Sequence, residues 1–409
     1  MTDGRYGWKM DPKLHVGSLP GLVGDEIGQE VLLNEITLRE EVVLPVALSF
    51  EEKCQVARVL AALGIKQVEV QTPDAQGLVR WLREEGVKLA VQTIVRPFFP
   101  DRYSDWRLEL DAATESGADH ILMVMRTSKP QLDDLRMTYE TVVGQLPGYV
   151  NYARDRGGND VVVCRADSTR AETSFVQELV GRSVEAGASR IHLADTLGVA
   201  RPATIKFLMR AVQEVTDAPL GVHCHNDFGL ALANALAAIE AGAVVVDVVV
   251  NGMDPERVGL TALEELSLAL YGLYNYDCGV ALEKLCETSR WFSQLTGIPV
   301  PPFKPVVGQF AFAQKRELTL QAAQRRPELF EPFDPELVGN RRWVNLGSGA
   351  GEGAVKAKLK ELGLTVPSSQ LAELVVLVNE RAAAKGAPLD DDELAGLVSG
   401  LEEKEGAQL

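Results

Sequence analysis

From about residue 30 to residue 275 the chain alternates two patterns. Short apolar runs are followed by longer segments in which apolar residues recur every three or four positions. The runs fall at residues 31–36, 67–70, 89–95, 120–125, 161–164, 190–194, 220–223 and 244–250. They are rich in Val, Ile and Leu, as buried parallel strands are. Glycine turns lead into several of them, at Gly64, Gly117, Gly187 and Gly242, and these read as helix C-caps. Eight strand–helix units over this length predict an α/β fold of the closed (βα)8 TIM-barrel kind. A doubly wound open sheet is the rival, but it does not usually need eight regular units.

The pattern changes at Tyr276. A helical stretch over 282–296 leads into Pro299-Val300-Pro301-Pro302-Phe303-Lys304-Pro305, a proline density that reads as a linker or ordered crossover. Beyond a glycine cluster at 347–353, helices are expected over 354–362 and 368–385, followed by an acidic tail from Asp390 to Leu409. The organisation expected is an N-terminal extension (1–30), a catalytic barrel (31–275), a linker or crossover segment (276–345) and a small α-rich C-terminal subdomain (346–409). No nucleotide-binding fingerprint is present, since the glycine cluster follows no strand of a βαβ unit and lacks P-loop spacing.

Composition narrows the function classes. The formal net charge of −17 over 409 residues disfavours nonspecific nucleic-acid binding. No apolar run is long enough to span a bilayer, and the first residues are polar, without the apolar core of a signal peptide. Five scattered cysteines without a CxxC pair read as reduced thiols, and the cytoplasm is the expected compartment.

Only five histidines occur, and two of them, His223 and His225, flank Cys224 at the end of the seventh apolar run. Side chains at i and i+2 of a strand share a face, so both imidazoles can converge on one divalent cation. Barrel enzymes carry their chemistry at the C-terminal ends of the strands. The polar residues there are Arg39 and Glu40 after the first, Glu69 on the second, Arg96, Arg126, Asp167, Asp195 with Thr196, the histidine pair, and Asn251. A carboxylate with two imidazoles leaves positions open for substrate and accepts Mg, Mn, Zn, Co or Fe. Arg39, beside Glu40, suits a substrate carboxylate or an enolate oxygen.

These motifs resemble the DRE-TIM metallolyase superfamily, in its isopropylmalate, homocitrate and citramalate synthase branch. The matching residues are Thr37-Leu38-Arg39-Glu40, Val68-Glu69-Val70, Asp195-Thr196-Leu197-Gly198, the His223–Asn234 stretch (His-x-His-Asn-Asp-x-Gly-x-Ala-x-x-Asn), and Asn251-Gly252 with Glu256-Arg257. Glu at the ligand position most resembles homocitrate synthases, and residues 333–339 resemble the synthases' linker subdomain. The resemblance implies a divalent metal held by Glu40, His223 and His225. It implies a catalytic role for Arg39 and places Glu69 and Thr196 at the substrate site; Glu69 is expected to be catalytic with Arg39, and Arg39, Thr196 and, from their strand-end positions, Arg96, Arg126 and Asn251 are expected to bind substrate. The implied substrates are an acyl-CoA and a 2-oxo acid, in a homodimer whose linker exchanges between subunits.

The chain departs from that pattern in three places. Glu41-Val42-Val43 follows the ligand where the family has Gly-Glu-Gln. Leu260 stands where an Asn near the metal is usual. Gln314 and Thr319 replace the two histidines of the linker motif, and no histidine follows His225. Glutamine has no accessible protonation change and cannot replace an acid–base histidine. The leading expectation is a Claisen-type condensation of an acyl-CoA with a 2-oxo acid, run with altered acid–base machinery. The alternatives are a metal-dependent aldolase or lyase cleaving a 2-hydroxy acid or 3-hydroxyacyl-CoA, and a degenerate regulatory paralogue of a synthase.

Overall fold

The computed structural model describes residues 27–39, 47–97, 105–157, 160–253, 257–314 and 325–406. Eight parallel strands close into a barrel in sequence order, with β1 (Leu32–Glu35) pairing both β2 (Gln67–Gln71) and β8 (Val245–Val248). Between these lie β3 (Ala90–Val95), β4 (His120–Arg126), β5 (Val161–Ala166), β6 (Arg190–Asp195) and β7 (Leu220–Cys224). The fold is the expected (βα)8 barrel, and each strand lies within a few residues of its apolar run. Gly64 takes φ 103° and caps α1 (Phe50–Leu63), as its place between a helical pattern and a strand requires.

Alternation sorts the strand residues. One set packs against the surrounding helices: Val68, Val91, Ile121, Val163, Leu193, Val222 and Val246 are all nearly solvent-free. The other set faces the lumen. Toward one part of it lies an apolar patch of Ile94, Leu122, Val162, Cys164 and Ala194. The rest is polar: Asn34, Gln67, Glu69, Gln92, Arg190, His192, His223 and Asp247, all buried.

The described residues divide into two compact units, one from residue 27 to 299 and one from residue 300 to 406. In the second unit a short parallel pair, β9 (Ala313–Gln314) and β10 (Trp343–Val344), joins helices Glu352–Leu362, Leu371–Lys385 and Asp391–Gly406. Their shared core includes Val355, Leu374, Val378, Leu394, Val398 and Leu401. The stretch from Asp391 expected as an acidic tail is therefore a helix through Gly406. Its Leu394, Val398 and Leu401 repeat at helical spacing and are buried.

Candidate active site

His223 and His225 end β7 as the i, i+2 spacing predicts. Their Nε2 atoms lie 3.2 Å apart, and both residues are more than nine-tenths buried. Two imidazole nitrogens held about 2.0–2.1 Å from one ion stand ~2.8–3.4 Å apart at octahedral to tetrahedral angles. The pair therefore fits a shared divalent cation. Burial, together with His223, Arg257 and Arg39 nearby, pushes the His225 ring down to about 2, so it is neutral, as a ligand must be.

Each ring is fixed from behind. His223 Nδ1 lies 3.0 Å from Asp247 Oδ2 on β8, so its second nitrogen points into the site. Burial works against charge on Asp247, but His192 and His223 outweigh it and hold the carboxyl below its ordinary range. His225 Nδ1 lies 3.2 Å from an Arg257 nitrogen, which donates to it. With Nδ1 accepting, the His225 proton sits on Nε2, between the rings; as a neutral ligand through Nε2, His225 would carry its proton on Nδ1 instead and give up the Arg257 contact.

Arg39 leaves β1 on a turn closed by its own N–H, which donates to the Ile36 carbonyl at 2.9 Å. Its guanidinium enters the lumen and donates to Glu69 Oε1 at 3.1 Å, while Gln92 donates to Glu69 Oε2 at 2.7 Å. Both Glu69 oxygens are engaged, which makes it the orienting partner of Arg39. From Gln92 the network runs on. Arg190 donates to Gln92 Oε1 at 2.7 Å, Gln67 to Asn34 at 2.8 Å, and Asn34 to Asp247 Oδ1 at 2.7 Å. Gln67 also reaches Gln92 Oε1 at 3.4 Å. One polar chain across the lumen thus links the anchor of Arg39 with the anchor of His223.

Comparison with known proteins gives this constellation its family. Residues 30–291 match the HMGL-like family, and residues 306–386 match the homocitrate synthase post-HMGL domain. Among curated relatives, a homocitrate synthase of Methanopyrus kandleri is 36% identical over 387 residues, 93% of this chain and 95% of that protein. A 2-isopropylmalate synthase of Sulfurisphaera tokodaii is 36% identical, covering 85% of this chain and 89% of its own. The (R)-citramalate synthase of Methanocaldococcus jannaschii is 34% identical, over 86% of this chain and 70% of its own.

The chain belongs to the HMGL-like family, among its synthases.

It is therefore an enzyme of the acyltransferase kind, and the lyase alternative loses its footing. Solved structures show the same barrel: the HMG-CoA lyase of Bacillus subtilis superposes with a TM-score of 0.56 at 21% identity, over 68% of this chain and 97% of that one. At that identity the likeness concerns the fold alone.

The remaining expected site residues of this synthase are placed unevenly. Glu40 lies outside the described residues, as does Thr319 of the linker motif. Among the described residues no group of three or more His, Cys, Asp or Glu is arranged for a metal. Thr196 is half-buried at the end of β6; its hydroxyl oxygen accepts the Asp167 N–H at 2.8 Å, and its carbonyl accepts Arg257 at 2.6 Å. Arg96 reaches Gln71 at 3.4 Å, and Arg126 reaches Asp134 at 2.9 Å. The Asn251 amide donates to the Ser289 carbonyl at 3.2 Å and its oxygen accepts the Ser289 hydroxyl. Asp195 organises its own loop, accepting Thr169 at 2.8 Å and the N–H groups of Val199 and Ala200. Leu260, at the position of the usual Asn, packs with Ile36 and Val249 and offers no ligand atom.

Sequence reasoning passed over Asp247, Gln92, Arg190 and Arg257 as working parts. The first two carried a visible signal. Asp247 is the one charge in the run Val244–Val250, and Gln92 the one amide in residues 89–95. A lone polar residue at an alternating position of an apolar barrel strand points into the lumen.

Proposed function

We propose that this synthase joins an acyl-CoA to a 2-oxo acid at the lumen mouth, with a divalent cation held by His223, His225 and Glu40. The observation that carries the reading is the His223–His225 pair, its nitrogens 3.2 Å apart, on the same rim as a buried Arg39–Glu69 pair. When bound, the cation supplies Lewis-acid polarisation of the substrate carbonyl. The protein's own residues do the rest. Arg39, steadied by Glu69 and Gln92, presents a fixed guanidinium to the carboxylate or to a developing enolate oxygen. Asp247 holds the tautomer of His223 that leaves Nε2 unprotonated. Thr196, Arg96 and Arg126 are assigned to substrate binding from the same rim. The 276–345 linker and the C-terminal helices form the accessory part of the protein, and a homodimer built through residues 300–345 is its working state. The resemblance of that segment to the post-HMGL domain supports this.

Calorimetry tests the reading. Manganese and then 2-oxoglutarate or 2-oxoisovalerate are titrated into the wild type, His223→Ala and Arg39→Lys. His223→Ala is expected to lose the metal step, and Arg39→Lys to keep it while weakening the oxo acid by about tenfold, because an ammonium cannot form the bidentate fork. Unchanged metal affinity in His223→Ala would sink the metal assignment.

A further inference from the structure

The turn that carries Arg39 has its corner at Thr37, and Glu35 grips that corner. Thr37 N–H donates to Glu35 Oε2 at 3.1 Å, and the Thr37 hydroxyl donates to Oε1. The same Oε1 accepts the N–H of Val250, a residue far along the chain, at 3.2 Å, and the Thr37 hydroxyl oxygen shares that N–H at 3.2 Å. Val250 opens the turn Val250–Gly252 that leaves β8, in which Asn251 takes φ 60°. The next N–H of that turn, from Asn251, ends on Glu264 Oε2 at 3.1 Å. Two successive amides of one turn therefore fall on two buried carboxylates from different elements.

We propose that Glu35 is a positioning residue whose carboxylate is the shared anchor of the β1 and β8 exit turns, and so sets where Arg39 presents its guanidinium.

A local turn cap would need only the contacts to Thr37. The reach to Val250 joins the first strand's exit to the last strand's, where the barrel closes. Glu35 is fully buried, at a site where an apolar side chain would avoid the desolvation of a carboxylate. Burial raises its carboxyl to about 7, the bonds from Thr37 and Val250 oppose the rise, and Glu264 from the helix Leu263–Tyr274 adds to it. Glu69 then fixes the guanidinium end of Arg39, while Glu35 fixes the backbone from which Arg39 springs. The inference rests on the reading of Arg39 as the residue that holds the 2-oxo acid.

The test compares Glu35→Leu, Glu35→Gln and Glu35→Asp in the full-length, metal-loaded protein. Hydrogen exchange is followed in peptides covering residues 36–39 and 249–252, alongside steady-state kinetics. Glu35→Leu is expected to speed exchange in both segments together by about tenfold or more, and to raise the KM for the 2-oxo acid by about tenfold with little change in the KM for acyl-CoA. Glu35→Gln keeps one acceptor oxygen and should recover most of both effects. If Glu35→Leu does not fold, Glu35→Asp serves, since it keeps the charge but falls a methylene short of Val250, so the 249–252 segment should loosen. Loosening of neither segment in Glu35→Leu, or Glu35→Gln as damaged as Glu35→Leu, would overturn the proposal. A wild type that turns over no acyl-CoA and oxo acid pair would count against the synthase reading instead, and the exchange data would still decide the anchor.

Discussion

Single residues carry the sharpest consequences. The His223–His225 pair was legible because period-two geometry leaves little choice about where i and i+2 point. Asp247 was not, because nothing local announces that a strand residue backs a histidine on the neighbouring strand. Its replacement by Asn keeps an acceptor for His223 Nδ1 but removes the charge. Metal affinity is then expected to fall by about 10–100-fold, read by competition with a chelating dye, and an unchanged affinity would reduce Asp247 to packing. Glu35 gives a pH prediction. Its carboxyl is raised from 4.5 to about 7 in the folded protein, so the fold holds that proton more tightly than the unfolded chain does. Its contribution to stability is full below about 4.5 and is lost as pH rises from there through about 7. Glu35→Gln should flatten that slope, shifting the stability gap from the wild type by up to about 3 kcal/mol across the window in urea unfolding. Parallel pH profiles for the two proteins would contradict it.

Elements are where sequence and structure agree best, and where the exceptions teach most. All eight strands were readable from apolar runs, four of them led in by glycine turns, because parallel barrel strands are covered by helices on the outside. The last helix, Asp391–Gly406, was missed because its acidic composition hid a sparse apolar stripe of Leu394, Val398 and Leu401. The loop after β6 shows how closely neighbouring loops are fitted. Gly198 takes φ 60°, and a Cβ there would lie 2.7 Å from the Asp227 N and 2.9 Å from the His225 carbonyl. Gly198→Ala should therefore displace the loop bearing His225. It is expected to cost about 1–3 kcal/mol of stability and to weaken metal binding, measured by thermal unfolding with and without manganese. Wild-type behaviour in both would show that the close approach does not hold the histidine loop.

At the scale of the whole molecule, the family follows from both parts of the chain, the barrel and the segment behind it. What the chain lacks is the linker histidine pair, with Gln314 on β9 in the place of one of them. Loss of a positioned acid–base group typically lowers the rate by ~10²–10⁴. Turnover of acetyl-CoA with 2-oxoisovalerate or 2-oxoglutarate is accordingly expected to be slow, and Gln314→His to raise it. A rate within about tenfold of an ordinary synthase in the unaltered protein would show that the linker position is immaterial. The homodimer is checked by light scattering at micromolar concentration, where a monomer would contradict it. The central claim, condensation of two substrates at the lumen mouth, is tested most directly by thiol release from short acyl-CoAs against a panel of 2-oxo acids, with divalent metal present. The expected result is thiol release only when a thioester and an oxo acid are supplied together, abolished in Arg39→Lys and His223→Ala. Release from a thioester alone, cleavage of a single hydroxyacyl substrate, or no release with any pair would contradict it.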